Sequence, residues 1–143
     1  AYLDLDNIVK NTKAGKSIIN KLKVSKDSAL KKFEQKEKEL KKAEEDINKQ
    51  KNVLSKEELK SKVLNFRKEV SSFRSEREKL INNFNIKKTQ EFEKFFKKIT
   101  PIIGEYVAEK KIDIVLDKKN IFLANKNNDI TNEIIKLIDD KIK

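Results

Sequence analysis

Three groups of carboxylates are the side chains whose type and spacing come nearest to chemistry. Asp4 and Asp6 lie two residues apart, Glu44, Glu45 and Asp46 are consecutive, and Asp113 and Asp117 are four apart. The first two groups could bind a divalent ion, which takes several oxygen ligands at once. The third could form an acid–base pair if its surroundings pushed the two pKa values apart. No further ligands converge on any of them, so all are expected to be solvated or engaged in local contacts. The rest of the chemical inventory is negative. The chain has no His and no Cys, which removes imidazole acid–base chemistry, Ser-His triads, Cys/His zinc sites and disulfides. Two isolated glycines cannot build a phosphate loop. The expectation is a protein that is not an enzyme and needs no cofactor or metal.

Charge is the remaining chemical signal. Of 143 residues, 41% are charged and 36% hydrophobic, with a formal net charge of +11. That balance favours acidic partners: nucleic acid, anionic lipid or an acidic polypeptide. The lysines are interleaved with glutamates rather than gathered in a dense cluster, and the aromatic residues sit on apolar seams rather than in basic patches. No specific nucleic-acid reader is therefore expected. No run is long enough to cross a membrane as a helix. The chain opens at "AYLDLDNIV", as if inside a strand, and a leader removed in maturation is expected.

The elements follow from apolar spacing. "AYLDL" alternates Leu3 and Leu5 against Tyr2 and Asp4, predicting a strand at 1–5, and Asp6 can cap a short helix. Gly15 marks a break, and Ser17 can cap a long helix. In that helix Phe33, Leu40, Ile47 and Leu54 recur every seven residues, while Ala29, Lys36, Ala43 and Gln50 form a weaker row. This is a seam for one partner helix. Ser55 followed by Glu58 is a capping box, so a second helix starts near 56. Its hydrophobics Leu59, Val63, Phe66, Val70, Phe73, Leu80 and Phe84 keep a 4-and-3 spacing, with Arg77 filling the gap. The two helices are expected to form an antiparallel hairpin.

Past Phe84 the spacing lengthens toward steps of eleven. Phe92 and Ile99 are expected in the core, with Phe95 or Phe96 open to other roles, and Pro101 should kink the helix. "IDIVLD" and "IFLAN" around a "KKN" turn read as a β-hairpin with apolar residues on both faces, Ile112, Ile114, Leu116, Ile121 and Leu123 lying on one of them. Asp129, with Asn132 at the third helical position, is expected to cap a last helix whose face is Ile130, Ile134, Leu137, Ile138 and Ile142. The N-terminal strand can join that hairpin. Three strands cannot bury two apolar faces alone, so the sheet is expected to self-associate.

Whole stretches of the chain resemble the Skp/OmpH family of periplasmic chaperones. "AYLDLDNIVKNTKAGKSIINKL" resembles that family's strand, short helix and step into a first arm. "PIIGEYVAEKKIDIVLD" resembles its return helix and second strand, and "NDITNEIIKLI" its cap on the last helix. The pattern runs in order along the chain. One departure is Lys110-Lys111, where members often have Gly; the helix end there must be made differently. The resemblance implies an α+β fold: a small β-sheet body, a trimeric barrel-like hub, bearing a long antiparallel helical-hairpin arm. The body would be 1–16 and 100–143, and the arm 17–99 with its tip near 52–57.

The resemblance further implies an ATP-independent holdase in the periplasm, enclosing unfolded outer-membrane proteins as a homotrimer, with anionic lipid or lipopolysaccharide as a further partner of some members. A structural or adaptor coiled-coil protein without a client is the alternative. The body core is expected to use Leu3, Leu5, Ile112, Ile114, Leu116, Ile121 and Leu123. Client contact is expected at Lys49, Lys51, Lys56 and Lys60, with Val53 and Leu54 adding apolar contact at the tip. Residues 30–90 hold 18 Lys/Arg and 11 Asp/Glu, an excess of +7, which would draw acidic chains over long range.

Overall fold

A computed structural model describes residues 1–142. The element order is β1 (Tyr2–Leu3), α1 (Leu5–Asn11), α2 (Lys13–Gln50), α3 (Lys56–Glu109), β2 (Leu116–Asp117) and α4 (Thr131–Lys141), with 3-10 turns at Lys118–Asn120 and Lys126–Asn128. The chain divides into two compact units. The first comprises Ala1–Lys23 and Lys88–Lys143, the second Val24–Lys87.

The first unit is built around one apolar cluster. Leu3 comes from β1, Ile8 and Val9 from α1, Phe95, Ile99 and Ile102 from α3, and Ile130, Ile134 and Ile138 from the start and face of α4. Phe95 is therefore a core residue, and Phe92 and Phe96 pack half-buried against it. The α4 face is as the isoleucine spacing predicts: Ile134 and Ile138 are fully buried, and Leu137 and Ile142 pack against the cluster.

The sheet is smaller than the sequence suggests. It is one parallel pair of two-residue strands, with Tyr2 opposite Leu116 and Leu3 opposite Asp117. Around it, the Leu116 amide donates to Ala1 O at 3.1 Å and the Ile130 amide to Tyr2 O at 3.0 Å. The expected strand at 1–5 stops at Leu3 because Asp4, not Asp6, caps α1: its Oδ1 accepts from the Asn7 amide at 2.9 Å. The expected β-hairpin at 112–124 does not form in the single chain. Local side-chain bonds take the backbone just after each segment instead: Asp117 accepts from the Lys119 amide and Asn125 from the Asn127 amide, capping 3-10 turns at Lys118–Asn120 and Lys126–Asn128. Such bonds compete directly with a ladder. "IFLAN" is thus not a strand, and the fold is mostly helical with a tiny strand pair.

The junction of α1 with α2 explains why α2 starts earlier than Ser17. Thr12 is fully buried, donates its amide to Ile8 O at 3.0 Å to close α1, and accepts the Gly15 amide on Oγ1 at 3.2 Å to open α2. Gly15 lies inside α2 without a positive φ. Its role is close approach: a Cβ there would stand 1.9 Å from Val9 O. The expected backbone break at Gly15 is therefore a tight helix crossing. The α4 cap is also displaced. The Asp129 carboxylate accepts from the Thr131 amide at 3.0 Å, and the helix begins at Thr131 after Ile130.

The end of α3 shows how that helix closes with lysine where a glycine is usual. Lys111 adopts φ 52°, the one positive φ among the described non-glycine residues. The Ile112 amide reaches Val107 O at 3.0 Å and the Lys111 amide Ala108 O at 3.2 Å. This pair of bonds is the Schellman closure, made with lysine at the left-handed position that glycine usually fills. Helix α3 itself runs on through Pro101 for two further turns.

In the second unit the predicted seam is the buried one. Leu40 and Phe73 are buried, and Phe33, Ile47, Leu59, Val63, Phe66, Val70, Leu80 and Phe84 are half-buried. The Phe33 and Phe73 rings meet edge-to-face at 5.9 Å, and Arg77, the charged member of the α3 seam, reaches Glu37 at 3.8 Å.

Candidate functional site

The turn between α2 and α3 is built by backbone capping at both ends. The amides of Val53 and Leu54 both donate to Gln50 O, at 3.0 and 3.1 Å, which closes α2. The capping box forms as the spacing requires. The Glu58 amide donates to Ser55 Oγ and the Ser55 amide to Glu58 Oε2, each at 3.2 Å. Lys62 Nζ donates to Gln50 Oε1 at 2.6 Å and ties the two helix ends together. Two orphan donors are thus satisfied locally, so the turn needs no outside partner.

That turn presents the expected contact residues together. Lys49, Lys51, Lys56 and Lys60 are exposed, and none makes an ion pair among the described residues. Val53 is 84% exposed. Leu54 is half-buried and ends the seam, so it offers less contact surface than Val53. The same turn carries the exposed Glu57 and Glu58, so its pull on anionic chains comes from the wider excess of +7 over residues 30–90, with the exposed Val adding a short-range apolar contact.

The sequence did not single out a second set of apolar residues in this unit. Val24, Leu30, Leu64, Ile81 and Ile86 are exposed. The signal was present, since each falls off the seven-residue seam, where a helix that only packs against one partner has no use for it.

Two of the carboxylates, Asp4 and Asp117, do local structural work. Asp4 caps α1 and pairs with Lys118 at 3.2 Å. The Asn7 amide, and then Lys118, hold its carboxyl below the usual range. Asp117 pairs with Lys119 at 2.9 Å, which holds that ammonium's pKa up. Asp113 is exposed, as are Asp6, Glu44, Glu45 and Asp46. Among the described residues no three acidic side chains come together as a metal site, and no helix is long and apolar enough to cross a membrane.

The expected body residues divide by burial. Leu3 is buried, and Leu5, Ile112 and Ile121 are half-buried. Ile114, Leu116 and Leu123 are exposed, the last at 87%, and Phe122 beside it is fully exposed. These side chains therefore do not form a sheet core within one chain.

A family profile described as outer membrane protein (OmpH-like) matches residues 1–138. None of the curated proteins compared matches the chain. Among solved structures, a crystal structure from Caulobacter crescentus, described as a candidate OmpH-like outer membrane chaperone, superposes with a TM-score of 0.90. It is 15% identical, and the match covers 100% of this chain and 85% of that one.

Proposed function

The chain belongs to the OmpH-like outer membrane protein family, and on that premise we propose that it is an ATP-independent holdase for unfolded outer-membrane proteins in the periplasm. The observation that carries this reading is the tip of the second unit: Lys49, Lys51, Lys56 and Lys60 unpaired around the exposed Val53. A helix pair needs only its seam buried. Like charges along a helix face repel one another, so the excess of +7 over residues 30–90 adds nothing to the helix pair's own packing and suits the surface to meeting acidic chains. Val24, Leu30, Leu64, Ile81 and Ile86, exposed elsewhere along the same unit, offer separate apolar contacts. Many weak contacts of this kind keep a client mobile and apart from other chains.

In this reading the second unit is an antiparallel helical-hairpin arm and the first is the assembly body. The body is a homotrimer. Ile114, Leu116, Phe122 and Leu123, left exposed on one chain, supply the apolar surface that copies would share. Segment 121–124 would then add to the sheet only when a neighbour provides the strand partner. Clients would be enclosed between the arms of the three copies.

The test is the affinity for an unfolded, acidic outer-membrane protein as salt rises, with and without reversal of Lys49, Lys51, Lys56 and Lys60 to Glu. Affinity should fall with salt, chiefly through the association rate. The reversed protein should bind more weakly with unchanged helix content and mass. An affinity indifferent to both would end the electrostatic mechanism.

A further inference from the structure

Away from the tip, the first unit carries a second basic surface of a different kind. A cleft of about 520 Å³ runs between the start of α2 and the last third of α3. Its floor is apolar: Ala14 and Ile18 from α2, the buried Phe95 from α3, and Ile142. Its rim is cationic. Lys13 and Lys21 flank Ser17 at four-residue steps on α2, and Lys94, Lys97 and Lys98 face them from α3. Glu91, at 3.5 Å from Lys94, is the one acidic side chain lining it. Lys13, Lys21, Lys97 and Lys98 have no ion-pair partner among the described residues.

We infer that this cleft binds a short extended segment of an unfolded polypeptide that carries carboxylates on either side of an apolar side chain. The stripe from Lys13 to Lys21 covers eight residues of helix, roughly 12 Å. That length matches three or four residues of extended chain at about 3.3 Å each. Successive side chains of such a chain point to opposite sides, so an apolar residue can rest on Ala14 and Ile18 while its acidic neighbours turn outward toward the rim lysines. The Ser17 hydroxyl, midway along the wall, can bond the bound backbone. The charge is spread along both walls. A phosphorylated lipid headgroup would instead want its charge gathered at one end over a deep acyl slot.

The source of such a segment rests on the chaperone reading; the existence of the cleft does not. The experiment uses the full chain and a fluorescein-labelled decapeptide alternating aspartate with leucine and phenylalanine, read by anisotropy. Two variants each reverse one wall, Lys97→Glu with Lys98→Glu, and Lys13→Glu with Lys21→Glu. All four lysines are exposed, so either variant should fold. Each should weaken peptide binding at least tenfold, whereas the tip reversals should leave it within twofold. Equal binding by wild type and both wall variants would overturn the assignment. So would binding of phosphatidylglycerol vesicles that needs these lysines, with no binding of the peptide. If the peptide binds through the cleft but the chain fails to hold an unfolded outer-membrane protein, the cleft stands and the chaperone reading falls.

Discussion

Lys111 holds a backbone angle that an L-residue adopts at a cost of about 1–2 kcal/mol. Lysine without a side-chain partner gains nothing there, so Lys111→Gly should stabilise the fold by about 1 kcal/mol after the extra chain entropy of glycine is offset. Urea unfolding at fixed protomer concentration measures it, and a loss of stability would mean that the lysine side chain contributes where the structure shows no contact. Asp4 makes a pH prediction. Its carboxyl is held below the usual range by the Asn7 amide and Lys118, so its ionised form is worth more in the folded state. That contribution is present above the unfolded value near 4 and is lost as pH falls through the lower folded value. Asp4→Asn keeps a capping oxygen and removes only the charge. Wild type should therefore exceed it in stability at pH 7, with the gap closing below about pH 4. At this scale the sequence was partly readable. The departure at Lys110-Lys111 announced an unusual helix end, and the closure uses Lys111. The cap at Asp4 was hidden because Asp4 and Asp6 are equally good capping residues, and only the Thr131 hydroxyl, which accepts the Asp4 amide at 2.9 Å, selects the first.

The helices were the most legible elements, because a seven-residue apolar repeat has one economical solution. Every residue of the α3 seam named from spacing is at least half-buried except Arg77, and the capping box at Ser55 forms both of its bonds. Ser55→Ala removes the acceptor for the Glu58 amide and should cost about 1 kcal/mol, read by thermal unfolding followed by circular dichroism. An unchanged midpoint would mean that water replaces the hydroxyl without loss. The strands were the least legible. Alternation in "IDIVLD" and "IFLAN" describes what those residues prefer when a neighbouring strand exists. In one chain the Asp117 and Asn125 side chains offer the backbone nearer partners, and 3-10 turns result. Sequence pattern cannot distinguish a strand formed within a chain from one that waits for a second chain.

At the scale of the whole molecule, the exposure of Leu116 and Leu123 is the reason to expect more than one copy. Light scattering should give about three times the 16.8 kDa chain mass, with three set by the family resemblance rather than by any contact within the chain. Because Leu116 is half exposed on the single chain, Leu116→Asp should leave α2 and α3 helical yet dissociate the assembly. A variant that stays trimeric would remove this segment from the interface.

The central claim is that the chain holds unfolded outer-membrane proteins. The most direct measurement is the turbidity that develops when a urea-denatured outer-membrane porin is diluted into buffer containing the chain without ATP. Near-stoichiometric trimer should keep the solution clear at low salt, and clarity should fade as salt is raised. Turbidity that rises as fast with the chain as without it would contradict the account and leave a coiled-coil scaffold with no client.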